Sequence, residues 1–213
     1  MEPAPQTSRR RIAGRVSSKI LDEMRFFRSW VESPLKTGAV SPSGPALAAM
    51  MARHAEPDRE GPIVELGPGT GVVTAALAKR GIPLRRLVLV EFNPAFCKLL
   101  KKRFPGATVI EGDAYALGDT LKAALGDRAE KPLASIVSSL PLFSRPPAAR
   151  RDMVDVGLKL LAPGAPFVQF SYALVPPVPP EHGRFGVDKS SWIVNNFPPA
   201  RVWIYRRSDA PAA

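Results

Sequence analysis

The sequence has a single cysteine, fewer acidic than basic residues, and no long apolar run. The one cysteine, Cys97, excludes an internal disulfide bond. No apolar stretch is long enough to cross a bilayer as a helix, so we expect no membrane-spanning segment. Because Arg9, Arg10 and Arg11 are not followed by the apolar region of an export signal, we expect the protein to stay in the cytoplasm.

The shortage of acidic residues leaves a large positive charge. The 213 residues include 30 Lys and Arg against 19 Asp and Glu, which gives a formal net charge of +11. A surplus of this size favours an anionic partner, either a nucleic acid or an acidic lipid surface. The alternative is a basic protein whose composition is simply rich in Arg, Ala and Pro. The length suits one α/β domain with a short extension.

Apolar segments alternate between strand-like and helix-like patterns from residue 46 onward. Predicted strands cover residues 63–66, 87–90, 108–110, 134–138, 166–172, 192–196 and 201–206. Predicted helices cover residues 46–54, 72–80, 94–104, 117–125 and 147–161. This order predicts an α/β, Rossmann-like domain over residues 44–207, with a seven-stranded, mostly parallel sheet and helices on both faces. The last two strands should form an antiparallel pair at one edge, and residues 208–213 a disordered tail.

The region before this domain has a different pattern. Residues 1–11 are predicted to be a disordered basic arm, and residues 12–43 an amphipathic helix with a connector. A narrow apolar stripe with aromatic rings and a basic surround is typical of a helix lying in a membrane interface. The predicted membrane-binding residues are Arg9, Arg10, Arg11, Arg15, Lys19, Ile20, Met24, Phe27, Trp30 and Val31. The alternative is a helix that docks on the protein's own core.

The most specific local motif is Glu65-Leu66-Gly67-Pro68-Gly69-Thr70-Gly71, which follows a predicted strand and opens a predicted helix. Glycines at such a place let the backbone approach a ligand at a helix N-terminus. A dinucleotide fingerprint needs glycine where Val72 stands. The spacing instead resembles motif I of the class I S-adenosylmethionine-dependent methyltransferases. The simpler alternative is a tight turn without a ligand.

Further residues follow the next strands in an order that fits the same family. Glu91 ends the second strand, where an acidic residue can accept hydrogen bonds from ribose hydroxyls, and Phe92 is placed to pack on an adenine ring. The resemblance implies that Asp113 and Ala114 contact the adenine. The predicted cofactor-binding residues are Glu65, Gly67, Gly69, Gly71, Glu91, Phe92, Asp113, Ala114 and Ser138. Taken singly, Glu91 is also compatible with an exposed strand-end acid, and Asp113 with a helix cap.

Over nearly its whole length the chain resembles the bacterial phospholipid N-methyltransferases. The likeness rests on motif I, the amphipathic helix, Ser138-Ser139-Leu140-Pro141-Leu142-Phe143-Ser144, the lead-in at 36–43 and the end at 201–207. It implies stepwise methylation of phosphatidylethanolamine to phosphatidylcholine, with S-adenosylhomocysteine as the other product. It also implies a peripheral enzyme on the inner face of the cytoplasmic membrane, bound to anionic phospholipid. We expect a monomer, with no metal site and no nucleic-acid partner.

Two other functions stay open. Ribosomal RNA adenine dimethyltransferases share the motif I region, but they carry an Asn-Leu-Pro-Tyr type motif after the fourth strand. This chain has Ser138 or Ser139 at the place of that Asn and Leu142 at the place of the Tyr, so it lacks the amide and the ring that hold a base. A non-catalytic, membrane-bound S-adenosylmethionine-binding protein is the third possibility.

Residues for the methyl acceptor are predicted in the loops after the fourth and fifth strands. Phe143 and Tyr172 are candidate walls of a pocket for a methylated ammonium group, and His182, or Glu181 beside it, is a candidate proton acceptor. Core packing of the two rings and a solvated loop at His182 are the alternatives. The predicted substrate-binding residues are Ser139, Leu140, Arg145 and Arg184, the two arginines for the lipid phosphate.

Overall fold

A computed structural model describes residues 43–208 of the chain. The predicted basic arm, the amphipathic helix with its membrane-binding residues, and the tail lie outside the described residues, apart from Ser43 and Ser208. None of the helices in the described part is both long and apolar enough to cross a membrane.

The described part is built around one seven-stranded sheet with the strand order β3-β2-β1-β4-β5-β7-β6. The strands are β1 (Ile63–Leu66), β2 (Leu87–Glu91), β3 (Thr108–Glu111), β4 (Ser135–Ser138), β5 (Phe167–Ser171), β6 (Phe185–Lys189) and β7 (Arg201–Arg207). Strands β1 to β5 pair in parallel, and β7 is antiparallel to both of its neighbours. The predicted Rossmann-like α/β fold is therefore confirmed.

Five helices cover the two faces of the sheet. They are α1 (Pro45–Arg53), α2 (Val72–Lys79), α3 (Pro94–Arg103), α4 (Leu117–Leu125) and α5 (Pro147–Leu160). Helices α1, α2 and α3 contribute to the core on one face, and α4 and α5 to the core on the other. Because both faces are covered, the residues of β1, β2, β4 and β5 are buried throughout, as is usual for parallel strands between two layers of helices.

One predicted strand is wrong. The sixth strand is Phe185–Lys189 and not residues 192–196. In β6 the side chains of Phe185 and Val187 pack into the core, while Gly186 and Asp188 are exposed. This alternation is the period of a half-buried edge strand, but only two apolar residues carry it. Residues 192–196 instead form a turn with a single bridge between Ile193 and Ala200. The antiparallel pair at the sheet edge is confirmed.

The topology brings several loops to one end of the sheet, which we call the carboxyl edge. It holds the segments that follow β1 to β6 and the segment that precedes β7, since β7 runs in the opposite direction. The backbone N–H of Gly44 donates a hydrogen bond to Asn196 Oδ1 at 2.8 Å. Because Asn196 lies in the segment between β6 and β7, the beginning of α1 is also at the carboxyl edge. We call the opposite end the amino edge.

Candidate active site at the carboxyl edge

The loop between β1 and α2 depends on three glycines. Gly67, Gly69 and Gly71 have φ angles of 66°, 54° and 83°, in the left-handed region that favours glycine. A Cβ atom on Gly67 would lie 2.8 Å from Leu140 Cδ2, and one on Gly71 would lie 2.5 Å from Phe104 Cε2. Gly71 is therefore needed for packing against the chain that follows α3, whereas Gly67 lets the loop pass close to the segment after β4.

Glu91 is bound to the same loop. Its Oε2 accepts a hydrogen bond from the backbone N–H of Gly69 at 3.0 Å, and its Oε1 accepts one from the N–H of Asn93 at 2.9 Å. The residue is buried, at 8% exposure. A carboxylate oxygen has room for a further hydrogen bond, so Glu91 is held in one orientation and still has acceptor capacity for the hydroxyls of a ribose.

Glu65 lies inside the protein below the loop. It is fully buried, and its Oε2 accepts a hydrogen bond of 2.7 Å from Thr74 Oγ1 in α2. Burial raises the pKa of this carboxyl to about 8, although hydrogen bonding to Thr74 acts in the opposite direction. Within the described residues, Glu65 Oε1 has no hydrogen-bond partner. A buried carboxyl group with an unpartnered oxygen marks a place where a cationic ligand group, which would favour the ionised carboxylate, can bind.

The residues predicted to contact an adenine lie at the ends of β2 and β3. Phe92 is 77% exposed, so its ring face is available to a ligand. Asp113 is exposed, and its carboxylate accepts a hydrogen bond of 2.8 Å from the N–H of Tyr115. This bond caps the short 3₁₀ helix Ala114–Ala116, in which Ala114 is buried. The capping alternative for Asp113 is thus present, and its second oxygen has no part in the cap.

The segment after β4 is fixed by a residue that sequence reasoning missed. Gln169 in β5 is fully buried and pairs in register with Ser138 of β4. Its Nε2 donates a hydrogen bond of 2.9 Å to the carbonyl oxygen of Leu140, while its Oε1 has no partner within the described residues. A glutamine in the middle of a buried strand was the available signal, because such a residue needs partners.

Ser138, predicted to bind the cofactor, and Ser139, predicted to bind the substrate, lie beside this contact. The hydroxyl of Ser138 accepts a long hydrogen bond of 3.4 Å from the N–H of Leu140. Ser139 Oγ is buried and has no hydrogen-bond partner within residues 43–208. The unpartnered oxygens of Ser139 and Gln169 both belong to the carboxyl edge, close to the cofactor loop through Leu140. Each of them can accept a hydrogen bond from a donor such as an amine.

The predicted aromatic and basic residues after β4 and β5 have partners of their own. The Arg150 guanidinium lies over the ring of Phe143, 4.9 Å from its centroid, and the Tyr172 ring packs edge to face on Phe170. Arg145 is exposed and lies 4.2 Å from the centroid of the Tyr115 ring. Phe143, Tyr172 and Arg145 all belong to the carboxyl edge, where their predicted roles would place them.

The structure does not bring His182 and Arg184 to this edge. Arg207 of β7 pairs with Phe185, while Tyr205 pairs with the first residue of β5. Residues just before Phe185 therefore lie at the amino edge, which is at the opposite end of the strands from the candidate site. His182 is exposed there, and Arg184 forms ion pairs with Glu181 at 2.9 Å and with Asp155 at 2.6 Å.

The site suits a nucleoside ligand that carries positive charge. Glu91 has acceptor capacity suited to ribose hydroxyls at the end of β2, and the glycine loop leads into the first turn of α2, where a ligand carboxylate is favoured. Glu65 adds a buried carboxyl group with one oxygen that has no partner among residues 43–208, and a nearby cation would favour its ionised form. These are the groups that S-adenosylmethionine, with its ribose, ammonium and sulfonium, needs from a protein.

Comparison with known proteins gives the same result. The sequence profile of the ribosomal RNA adenine dimethylase family matches residues 44–141. The chain is 34% identical over 96 residues to ribosomal RNA small subunit methyltransferase A of Synechococcus sp. (strain JA-2-3B'a(2-13)), covering 44% of this chain and 31% of that protein. The CcbJ methyltransferase from Streptomyces caelestis shares the fold, with a TM-score of 0.55 and 16% identity over 80% of this chain and 97% of that one.

A relative of similar length extends the match beyond the cofactor half. The ornithine lipid N-methyltransferase of Singulisphaera acidiphila is 31% identical over 190 residues, which span 87% of this chain and 96% of that protein. Since this identity covers nearly all of both chains, and since the glycine loop, Glu91 and Glu65 fit the cofactor, the chain belongs to the class I S-adenosylmethionine-dependent methyltransferases.

Proposed function

We propose that the protein transfers methyl groups from S-adenosylmethionine to the amine of a membrane amino lipid. The observation that carries this proposal is the match to the ornithine lipid N-methyltransferase, which spans 96% of that protein and so includes the acceptor half of the fold. An ornithine lipid is the substrate that this relative supports. Phosphatidylethanolamine, which the sequence resemblance implied, stays a prediction.

The chemistry required of the chain is positioning. S-adenosylmethionine supplies an activated methyl group, and the amine nitrogen must present its lone pair in line with the bond that breaks. We propose that Ser139 Oγ and Gln169 Oε1 accept hydrogen bonds from the amine, because both are buried and neither has another donor within the described residues. Burial of the amine at this place would also favour its neutral, nucleophilic form.

The remaining acceptor residues would hold the rest of the lipid head group. We propose that Phe143 and Tyr172 form aromatic walls, which suit ammonium groups as methyl groups are added. Arg145 is exposed beside them and would bind an anionic group of the head group. We propose no role in the reaction for His182 or Arg184, since both lie at the amino edge.

RNA is the second candidate substrate, because the adenine dimethylase profile matches the chain. That match ends at Pro141, directly before the segment that differs. Here Leu142 stands at the place of the stacking ring, and it is buried, at 2% exposure. Without an amide and a ring at these two positions, a flipped adenine would lack its usual contacts. The match to this profile is thus explained by the cofactor-binding half of the fold, residues 44–141, which the two families share.

An assay with matched acceptors tests the proposal. Purified full-length protein is incubated with methyl-labelled S-adenosylmethionine and one of four acceptors. Two are phosphatidylcholine vesicles that also contain ornithine lipid or phosphatidylethanolamine. The other two are vesicles of phosphatidylcholine alone and ribosomal RNA. We expect label in the lipid extract from one or both of the amine-bearing vesicles, and none in phosphatidylcholine or RNA. Label in RNA without label in either amino lipid would overturn the proposal.

A further inference from the structure

Large apolar side chains are exposed at the carboxyl edge. Of the six exposed large hydrophobic residues in the described part, five lie in segments of this edge and only Val156 lies on a helix. Leu174 and Val175 follow β5, whereas Val194 and Phe197 lie between β6 and β7, with exposures of 73% for Val194 and 90% for Phe197. Exposed apolar residues on loops at one end of a sheet are candidates for an interaction surface.

The segment between β6 and β7 presents these side chains from a fixed backbone. Ile193 and Asn196 are buried, and Ile193 forms a backbone bridge with the buried Ala200. The side chain of Asn196 accepts from the N–H of Gly44 and donates to the carbonyl oxygen of Pro198, both at 2.8 Å. The apolar residues between these anchors are therefore directed outward by a braced loop.

The charged side chains in the segments that carry these four residues, and in the segment after β4, are all basic. The segments 138–150, 172–180 and 189–207 contain no Asp or Glu. They contain several basic residues, among them Lys189, Arg145 and Arg201. The Arg201 guanidinium lies over Trp192, 4.6 Å from the centroid of the ring. Apolar tips flanked by tryptophan and cations suit the interface of an anionic lipid bilayer.

We propose that Leu174, Val175, Val194 and Phe197 form a docking face that inserts into the surface of an anionic membrane. The proposal rests on the proposed lipid substrate and adds how that substrate arrives: the head group enters the carboxyl edge while its acyl chains stay in the bilayer. The backbone N–H of Gly44 donates a hydrogen bond to Asn196 at this same edge. The segment predicted to bind membranes precedes Gly44 in the sequence and so joins the domain beside the docking face. RNA is the less suitable partner, because aliphatic tips offer it neither charge nor stacking.

Vesicle binding of matched variants tests the docking face. The double variant Val194→Ser with Phe197→Ser, in the full-length chain, is compared with Val156→Ser, which removes an apolar side chain that is 38% exposed on α5. In co-sedimentation with vesicles of phosphatidylethanolamine and phosphatidylglycerol, we expect the double variant to bind about tenfold more weakly. The Val156 variant should bind as the unaltered protein does. The variant Leu174→Ser with Val175→Ser repeats the test in the other loop.

The readouts separate this proposal from the proposed function. Affinity for S-adenosylmethionine, measured by calorimetry, should be unchanged in both double variants, which shows that they fold. Weaker vesicle binding without methyl transfer to any amino lipid would support the docking face and refute the substrate. Vesicle binding equal to that of the unaltered protein in both double variants would overturn the docking face, as would weakened binding of RNA alone.

Discussion

Glu91 and Gly69 are joined by a hydrogen bond of 3.0 Å between the carboxylate and the backbone N–H, across 22 residues of sequence. This bond ties the end of β2 to the loop that follows β1. The same carboxylate is the one that sequence reasoning assigned to the ribose. The side chain holds the shape of the glycine loop, and its remaining acceptor capacity is what the predicted ribose contact requires.

Replacement of Glu91 should consequently weaken cofactor binding strongly. We expect Glu91→Ala to reduce the affinity for S-adenosylmethionine about 10- to 100-fold, the usual effect of losing hydrogen bonds to a charged group. Calorimetric titration measures this. Glu111→Ala is the matched control. Glu111 ends the neighbouring strand β3 in register with Glu91, but it is exposed. Equal affinity in the two variants would remove Glu91 from the cofactor site.

The buried Glu65 predicts a pH dependence of stability. Its pKa is raised from 4.5 to about 8, so between these values the folded protein holds a proton that the unfolded chain releases. The contribution of Glu65 to the free energy of unfolding therefore decreases as the pH rises from 4.5 to 8, and it is constant above pH 8. In urea unfolding from pH 5 to 9, Glu65→Gln should gain stability relative to the unaltered protein up to about pH 8. A difference that does not vary with pH would contradict the assignment.

Much of this site was accessible from the sequence because local rules determine it. The loop from Gly67 to Gly71 needs positive φ angles, which only glycine adopts easily, and Glu91 ends a strand whose apolar run is unmistakable. Contacts between distant segments were not accessible. Nothing local relates Gln169 to Leu140, or Gly71 to Phe104.

The misplaced sixth strand and the two residues at the amino edge have one common cause. Sequence reasoning put the strand at 192–196, which left His182 and Arg184 in a long loop of unknown direction. Since β6 begins at Phe185, those residues lie before a strand parallel to β5, and so at the amino edge. The position of one edge strand thus decided whether two predicted site residues reach the carboxyl edge.

Replacement of Gly71 separates the stability lost to a steric clash from the stability lost to a left-handed backbone. Gly71→Ala places a Cβ atom 2.5 Å from Phe104 Cε2, whereas Gly81→Ala, also at a positive φ angle, meets nothing within 4 Å. We expect Gly81→Ala to cost about 1 kcal/mol from the left-handed conformation alone, and Gly71→Ala about 1–3 kcal/mol more from overpacking. Chemical denaturation of both variants measures the difference. Equal losses would show that the Phe104 ring moves aside freely.

Arg145 and Arg184 were both predicted to bind the anionic part of the lipid, and the structure separates them. Arg145 is exposed at the carboxyl edge, whereas Arg184 is paired with Glu181 and Asp155 at the amino edge. We expect Arg145→Ala to raise the KM for the lipid about tenfold, with cofactor affinity unchanged. Arg184→Ala should leave the KM as it is. The opposite result in steady-state assays on mixed micelles would move the acceptor site to the other edge.

Gln169 should act on the acceptor through the position of Leu140. Its Nε2 donates to the carbonyl oxygens of Leu140 and Phe170, at 2.9 and 2.7 Å, and so fixes the segment after β4 against β5. Gln169→Leu keeps the buried volume but removes both donors, and it also removes the acceptor that we assign to the amine. We expect kcat to fall at least about tenfold, since a small displacement of a reacting group is costly, while S-adenosylmethionine affinity stays within about twofold because Glu91 and the glycine loop are untouched. Single-turnover methyl transfer and calorimetry on the same preparation measure the two quantities. A parallel loss of both would show that Gln169 only supports the fold, whereas an unchanged kcat would place the amine elsewhere.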